Sequence, residues 1–284
     1  MLYRTLGKTG IKASAIAFGG IMVKNLQPNE ADAIVKNAID NGINYFDIAP
    51  SYENAQYVLG PAIKPYRKDV FIACKTKERS AVKAETELNE SLKALNTDYF
   101  DLYQLHAIDD SQDLEKVFAK GGAMEALVKA KEQGKIKHIG FTCHRERSAL
   151  YLMSQYDFDT VMHPFNFLSM IRTGKGELVL KMAQQKNMGI LSIKTLALRP
   201  LQDGEEKVKG LWYYPIVNDI ELSALAMRYT YNRGNLIMVT PGHSSYLDQM
   251  IKLEKENPGL TDLTEAELQI VLNKTLDIEQ VFRD

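Results

Sequence analysis

The stretch VFIACKTKERSAVKAETELNESLKALNTDYFDLYQL, residues 70–105, places a short apolar run on either side of one helix. The runs at 70–75 and 99–105 have the length and composition of buried strands. Between them Leu88, Leu92 and Leu95 repeat at helical spacing, which gives the helix one apolar face. A strand, a helix and a second strand in this order predict two parallel strands joined by a crossover helix.

The same alternation continues in both directions along the chain. Further strands are predicted at residues 15–18, 44–47, 138–141, 160–163, 189–193 and 236–240. Further helices are predicted at residues 31–39, at the stripe that begins with 124–128, and at 147–155, 177–186, 220–229, 246–255 and 265–274. Eight short apolar strands with helices between them favour a closed barrel over an open sheet. The predicted fold class is therefore α/β, a (β/α)8 TIM barrel.

Two regions fall outside this alternation. Residues 3–11 precede the first barrel strand, and Gly7 and Gly10 around a two-residue turn predict an N-terminal β-hairpin at the bottom of the barrel. Residues 198–217 form the longest irregular segment and follow the seventh strand, so we expect them to lie over the C-terminal face. No linker divides the chain, and residues 1–284 are expected to form a single domain.

The composition argues against several classes of partner. Lys and Arg total 35 against 36 Asp and Glu, which leaves no overall field to attract nucleic acid or an anionic membrane. No segment approaches the roughly 18 apolar residues of a membrane span, and the N-terminus lacks the apolar run of a signal peptide. Cys74 and Cys143 fit buried thiols in a reducing compartment. We expect a cytoplasmic monomer.

Four ionisable residues lie at the carboxyl ends of predicted strands two to four: Asp47, Tyr52, Lys75 and His106. All four should point into one mouth of the barrel. Tyrosine is a weak proton donor at neutral pH, and a nearby lysine ammonium lowers its pKa. Aspartate can keep that lysine charged, and histidine can orient a carbonyl oxygen. Together these groups can protonate the alkoxide formed when hydride reaches a carbonyl carbon, or remove the proton of an alcohol.

The motifs around these residues resemble the aldo-keto reductase superfamily over nearly the whole chain. They are Tyr3-Arg4-x-Leu6-Gly7-Lys8-Thr9-Gly10, Gly42-Ile43-Asn44-Tyr45-Phe46-Asp47-x4-Tyr52, Cys74-Lys75-Thr76 and Asp101-Leu102-Tyr103-x-Leu105-His106. The resemblance implies that the Asp, Tyr, Lys and His of the family's catalytic tetrad are Asp47, Tyr52, Lys75 and His106. It further implies an NAD(P)H-dependent oxidoreductase that acts on a small-molecule aldehyde, ketone or alcohol, with Tyr52 as general acid.

Within the superfamily, residues 190–196 resemble a branch of bacterial predicted aldo/keto oxidoreductases with a Met-Lys-Pro-Leu segment at this place. Some relatives also carry an iron–sulfur arm, but the C-terminal cysteines that it needs are absent here. The resemblance therefore implies an enzyme of this branch without the arm.

The resemblance also implies a cofactor, NADP or NAD, that lies extended across the barrel mouth. The implied cofactor contacts are Gly20, Met22, Asp47, Thr142, Cys143, Asn166, Ile193, Lys194, Leu196, Gly242, His243, Ser244, Ser245 and Asp248. Residues 240–245 resemble the family's phosphate loop, where backbone N–H groups at a helix start meet phosphate. The family's usual carboxamide contacts are altered, since Met162 stands in the place of a glutamine. Asp248 would repel a 2′-phosphate, which favours NADH.

Two other functions stay open. The altered carboxamide contacts favour a catalytically weak or inactive barrel that acts as a cofactor-dependent binding or regulatory protein. A metal-dependent barrel enzyme is the second, because His106, His144 and His163 all lie near strand ends and imidazoles bind zinc well. No metal ligand is implied by the resemblance. Candidate walls of an apolar, aromatic substrate pocket are Ile21, Met22, Tyr52 and residues 212–214.

Overall fold

A computed structural model describes residues 1–281 of the chain, and a closed barrel of eight parallel strands forms its centre. The strands are β1 (Tyr3–Thr5), β2 (Lys12–Ser14), β3 (Ile16–Gly19), β4 (Tyr45–Asp47), β5 (Phe71–Thr76), β6 (Phe100–Leu105), β7 (Ile136–Thr142), β8 (Thr160–His163), β9 (Gly189–Ser192), β10 (Ala197–Pro200), β11 (Tyr213–Pro215) and β12 (Ile237–Val239). Around the barrel the order is β12-β3-β4-β5-β6-β7-β8-β9, and β12 and β9 pair to close the ring. The predicted TIM barrel is confirmed, with every predicted barrel strand present to within two residues.

Helices surround the barrel. They are α1 (Pro28–Asp40), α2 (Ala55–Ile63), α3 (Ala81–Ala94), α4 (Ser111–Phe118), α5 (Ala123–Glu132), α6 (Glu146–Gln155), α7 (Phe167–Thr173), α8 (Glu177–Gln185), α9 (Ile220–Asn232), α10 (Ser244–Glu256) and α11 (Glu265–Lys274). All predicted helices are present, whereas α2, α4 and α7 were not predicted. Within residues 1–281, no helix combines the length and the apolar character that crossing a bilayer requires.

The alternation of side chains along the strands divides the core into two parts. Residues at every second position point into the barrel, where they form an inner apolar cluster. The remaining strand residues point outward and pack against the helices in a larger cluster. The inner positions of β4, β5 and β6 change from apolar at the bottom to polar at the carboxyl end: Tyr45 precedes Asp47, and Ala73 precedes Lys75. The lower part of the barrel is therefore filled with apolar side chains, and its carboxyl end presents polar and ionisable side chains.

The N-terminal hairpin closes the bottom of the barrel. β1 and β2 pair antiparallel, as predicted. The predicted two-residue turn is wrong, because residues 6–11 connect the strands and include a 3₁₀ turn at Gly7–Thr9. The longer connection allows Leu6 and Ile11 to enter the inner cluster of the barrel.

Two glycines of this connection offer a matched test of the hairpin's role. Both have positive φ, but a Cβ on Gly7 would lie 2.2 Å from the carbonyl carbon of Met188, whereas a Cβ on Gly10 would meet nothing within 4 Å. We expect Gly10→Ala to cost about 1–2 kcal/mol through backbone strain alone. Gly7→Ala should cost about 1–3 kcal/mol more, because the backbone of β9 must move. Chemical denaturation of both variants measures the difference, and equal losses would show that the hairpin is not seated against β9.

A second hairpin lies in the segment that follows β9. The sequence predicts residues 198–217 to be irregular, but β10 and β11 pair antiparallel within this region, so that part of the prediction is wrong. Arg199 stabilises the hairpin: its guanidinium lies 2.6 Å from Glu205 and stacks 3.9 Å above the ring centre of Tyr214. The predicted location is confirmed, because residues 209–213 line the cavity at the carboxyl end of the barrel.

Candidate active site

The four ionisable residues predicted as catalytic meet at the barrel mouth. Asp47 is the last residue of β4, and Lys75 lies at the neighbouring inner position of β5. His106 directly follows β6, and Tyr52 lies in the turn between β4 and α2. All four line one cavity of about 320 Å³. The inward alternation of adjacent parallel strands thus brings together residues that are far apart in the sequence.

Lys75 lies at the centre of this group. Its ammonium forms an ion pair with Asp47, lies 3.3 Å from the hydroxyl of Tyr52, and donates to the carbonyl oxygen of Ile48 at 3.2 Å. Burial opposes the charge of Lys75, but Asp47 and Tyr52 together raise its pKa above the ordinary value. Lys75 is therefore a buried cation in contact with the tyrosine hydroxyl.

Tyr52 keeps its proton at neutral pH. Burial raises the pKa of Tyr52, Lys75 lowers it, and Asp47 raises it again. Lys75 thus acts in the predicted direction, but burial outweighs it and the pKa lies above the ordinary value. In the free barrel Tyr52 is a protonated donor, and Lys75 provides charge stabilisation to the tyrosinate once the proton leaves.

His106 is neutral. Burial and the positive charges of Lys75, Lys77 and Arg79 lower its pKa to about 2. The Nδ1 atom is buried without a hydrogen-bond partner among residues 1–281, which leaves Nε2 as the ring nitrogen that can meet a ligand. The His106 and Tyr52 rings are edge to face with centroids 6.0 Å apart. A neutral imidazole beside a phenol can orient a carbonyl oxygen by hydrogen bonding.

Gln104 also belongs to the site and was not predicted. Its amide nitrogen lies 3.3 Å from the second carboxylate oxygen of Asp47, and its side chain is fully buried. Lys75 and Gln104 therefore each contact one oxygen of Asp47. The available signal was its position two residues before His106, because positions two apart in a strand share a face.

Besides Asp47, four of the residues predicted to bind the cofactor line the cavity. They are Thr142, Ile193, Lys194 and Gly242. Lys194 is mostly buried, and its ammonium lies 4.3 Å from the ring centre of Trp212. Burial lowers the pKa of Lys194 to about 7, although Asp109 acts in the opposite direction. This lysine can therefore change its charge close to neutral pH.

The loop predicted to bind phosphate adjoins the cavity at the start of α10. Gly242 lines the cavity, and His243 caps the helix by accepting a hydrogen bond from the backbone N–H of Ser245. Lys209, from the loop after β10, donates to the hydroxyl of Ser245 at 2.7 Å. Lys209 is thus a second lysine beside the loop where the sequence implied a phosphate. It was not predicted. Ser244 is the first residue of α10 and does not line the cavity.

Other predicted cofactor contacts point away from the cavity. The Asn166 oxygen caps α7, while its nitrogen donates to the carbonyl oxygens of Lys194 and Ala197 at 3.1 and 2.7 Å. Asn166 therefore positions the loop that contains Lys194 and has little capacity for a ligand. Cys143 and Leu196 are fully buried.

Gly20 and Met22 lie beside the cavity and do not line it. A Cβ on Gly20 would lie 2.8 Å from the carbonyl oxygen of Asp47, so the close approach needs glycine. Met22 is buried in the outer core, while Ile21 lines the cavity. Of the other predicted substrate walls, Trp212 and Tyr213 line the cavity, and Tyr214 instead stacks on Arg199.

Asp248 lies in a separate shallow groove on the outer surface. Its carboxylate accepts a hydrogen bond from Asn37 of α1 at 2.8 Å, and Lys252 and Lys255 line the same groove. The structure does not bring Asp248 to the barrel mouth.

Of the three histidines near the strand ends, His106 and His144 line the cavity and His163 does not. His163 is buried below the mouth, with Nδ1 3.0 Å from the carbonyl oxygen of Cys143. His144 lines the cavity, and its Nδ1 lies 2.9 Å from Asp109. Among residues 1–281, no group of three or more His, Cys, Asp or Glu side chains is placed to bind a metal ion.

Comparison with known proteins identifies the family to which the chain is similar. Residues 15–210 match the sequence profile described as the aldo/keto reductase family. The chain is 34% identical over 154 residues to L-galactose dehydrogenase of Arabidopsis thaliana, covering 49% of this chain and 47% of that protein. It is 29% identical over 185 residues to aldo-keto reductase YhdN of Bacillus subtilis (strain 168), covering 58% and 54%. The matches span about half the length of these curated relatives.

Solved structures agree in fold. The holo form of aldo-keto reductase AKR11C1 from Bacillus halodurans superposes with a TM-score of 0.76 at 23% identity, covering 100% of this chain and 99% of that one. At this identity the likeness supports the barrel architecture and its connections.

Proposed function

The chain belongs to the aldo/keto reductase family, and from this we propose that it is an oxidoreductase that reduces aldehydes or ketones to alcohols, or catalyses the reverse, with NADH or NADPH. One observation carries the proposal: the ammonium of Lys75 contacts both Asp47 and the hydroxyl of Tyr52 in the cavity that His106 also lines. A protonated phenol next to a buried cation is suited to give a proton to an oxygen that gains negative charge.

The proton path follows from these contacts. When bound, the nicotinamide group supplies or accepts a hydride. Tyr52 donates its hydroxyl proton to the carbonyl oxygen of the substrate, and its raised pKa ensures that the proton is present at neutral pH. Lys75 then stabilises the tyrosinate from 3.3 Å, while Asp47 positions Lys75 and Gln104 contacts the second carboxylate oxygen of Asp47. His106 remains neutral and orients the carbonyl oxygen toward Tyr52.

The residues on one side of the mouth fit an anionic dinucleotide. Lys194 and Lys209 provide positive charge, and Lys209 is within 2.7 Å of the hydroxyl of Ser245 at the start of α10. A helix N-terminus carries partial positive charge and favours bound phosphate. Lys194, Lys209 and Ser245 would therefore bind the diphosphate, with Gly242 allowing close approach of the loop.

Titration calorimetry with NADH and NADPH, followed by a turnover assay on a panel of aldehydes and ketones, tests the proposal. Saturable binding with oxidation of the reduced cofactor supports a reductase and measures the preference between the two cofactors. Binding without turnover would favour the cofactor-dependent regulatory protein instead. Failure to bind either dinucleotide would refute the proposal.

Cofactor affinity should depend on pH through Lys194. In the free protein its pKa is lowered to about 7, so the ammonium is charged below this pH and mostly neutral above it. A bound diphosphate stabilises the charged form and raises the pKa. We therefore expect the affinity for NADH to fall as pH rises above about 7, by up to about tenfold per pH unit. Calorimetry of NADH binding across this range measures the slope.

The variant Lys194→Arg is the control for this prediction. A guanidinium stays protonated throughout the range, so the pH slope should disappear while binding persists. A slope that is the same in the variant and in the natural protein would show that another group titrates.

A further inference from the structure

The cavity at the barrel mouth has an excess of positive charge. Five lysines line it: Lys24, Lys75, Lys77, Lys194 and Lys209. Within residues 1–281, Asp47 is the sole carboxylate residue among the lining side chains, and Lys75 already pairs with it. This positive charge favours anionic ligands, and binding of a neutral carbonyl substrate would not require it.

These lysines lie on opposite sides of the barrel. Lys194 and Lys209 follow β9, whereas Lys75 belongs to β5 and Lys77 comes one residue after that strand ends. In the ring order, β5 and β9 are four strands apart in either direction, which is the greatest separation that an eight-stranded barrel allows. A diphosphate bound by Lys194 and Lys209 therefore lies across the mouth from Lys77. It does not compensate the positive charge of Lys77.

Lys77 differs from the other lysine near this side, Lys24. The ammonium of Lys24 lies 2.9 Å from the carboxylate of Glu53, so its charge is compensated. No side chain among residues 1–281 forms an ion pair with Lys77, which is exposed at the rim. Lys77 lines the same cavity as His106, the ring proposed to orient the substrate. After burial and Lys75, the charge of Lys77 also contributes to lowering the pKa of His106.

We propose that the substrate is a carbonyl compound with an anionic oxygen group, a carboxylate or a phosphate, that Lys77 binds. The inference rests on the proposed function, because it takes the substrate carbonyl to lie at Tyr52 and His106. His144 forms the adjoining polar wall, and Asp109 fixes the orientation of its ring through the 2.9 Å contact.

The position of Lys77 limits the length of the substrate. Lys75 and Lys77 are two positions apart and both line the cavity, so Lys77 lies above Lys75 toward solvent. Two residues of extended chain rise about 6–7 Å. The anionic group is therefore expected within a few bonds of the carbonyl carbon, as in a short oxo acid or a short sugar phosphate.

Steady-state kinetics on two matched substrate pairs tests the inference with the full chain and saturating reduced cofactor. The pairs are succinic semialdehyde against butanal, and glyceraldehyde phosphate against glyceraldehyde. We expect kcat/KM to be higher for the anionic member of at least one pair, which also identifies the carboxylate or the phosphate as the favoured group. In Lys77→Met the ratio of anionic to neutral kcat/KM should fall about five- to tenfold. Lys77→Arg should restore most of this ratio.

The matched control is Lys116→Met, which removes one exposed lysine from α4, away from the cavity, and should leave the ratio unchanged. An equal ratio in the natural protein and Lys77→Met, or the same loss in Lys116→Met, would overturn the inference.

A lack of turnover with all four carbonyls would instead refute the proposed function. In that case calorimetric binding of succinate to the natural protein and to Lys77→Met still decides whether Lys77 binds an anion: weaker binding in the variant supports the subsite, and equal binding overturns it.

Discussion

Replacing Tyr52 with phenylalanine is expected to lower kcat for carbonyl reduction by about 10²- to 10⁴-fold, the usual contribution of a positioned general acid. Phenylalanine keeps the ring and removes the hydroxyl, which lies 3.3 Å from the ammonium of Lys75. Affinity for the reduced cofactor should change little, because Lys194 and Lys209 lie on the far side of the mouth. Stopped-time turnover assays together with calorimetric cofactor titration separate the two effects.

Tyr57→Phe is the matched control for this variant. Tyr57 is on α2, five residues along the chain, and its side chain is 67% exposed, so loss of its hydroxyl should leave both kcat and cofactor affinity unchanged. If Tyr52→Phe retained the turnover of the natural protein, the proton would have to come from another group.

Replacing Lys75 with methionine is expected to produce the largest loss of stability among single changes at the site. Lys75 and Asp47 are both almost completely buried and pair with each other. Removal of the lysine leaves a carboxylate in a site of low dielectric constant, which typically costs about 3–5 kcal/mol. Denaturant unfolding at neutral pH measures the free energy difference directly.

The deficit of this variant should depend on pH. Without Lys75, burial raises the pKa of Asp47 in the folded state above its value in the unfolded chain. The folded state then binds a proton more readily than the unfolded state, so the deficit shrinks as pH falls toward about 4. The double variant Lys75→Met with Asp47→Asn removes both charges and should be more stable than Lys75→Met alone at neutral pH. A deficit independent of pH would show that lost packing, not the unpaired charge, is responsible.

A surface ion pair serves as the control for the stability measurement. Lys36 and Asp40 pair on the exposed face of α1, where water screens both charges. Lys36→Met should unfold at the same denaturant concentration as the natural protein, because neither charge depends on its partner for solvation.

Much of the fold could be predicted because the barrel strands are apolar on both faces and the long helices carry regular apolar stripes. The helices that were not predicted lacked this signal. α2 contains Pro61 in its interior, a residue that normally ends a helix. α4 and α7 are eight and seven residues long, too short for a periodic pattern to stand out. The hairpin of β10 and β11 was missed because its pairing depends on contacts between residues more than ten positions apart.

The candidate site could be predicted where the position of a residue on a strand determines the direction of its side chain. Asp47 and Lys75 lie on strands and His106 directly follows one, and the structure brings them together with Tyr52. The direction of a loop side chain depends instead on local hydrogen bonds that the sequence does not display. Asn166 caps α7, and Lys209 reaches Ser245 only because the hairpin of β10 and β11 folds back over the mouth. The net pKa of Tyr52 depends on burial, which only the packed structure determines.

The position of Trp212 gives the chain an optical property. It is the single tryptophan in 284 residues, and its side chain is 54% exposed at the cavity, with the ammonium of Lys194 over its ring. All indole emission from the folded chain therefore originates at the mouth of the barrel. An anion that draws Lys194 away from the ring, or excludes water from its exposed face, alters the surroundings of the only strong emitter. The wavelength and intensity of that emission thus report whether a ligand occupies the mouth of the barrel, without an attached dye.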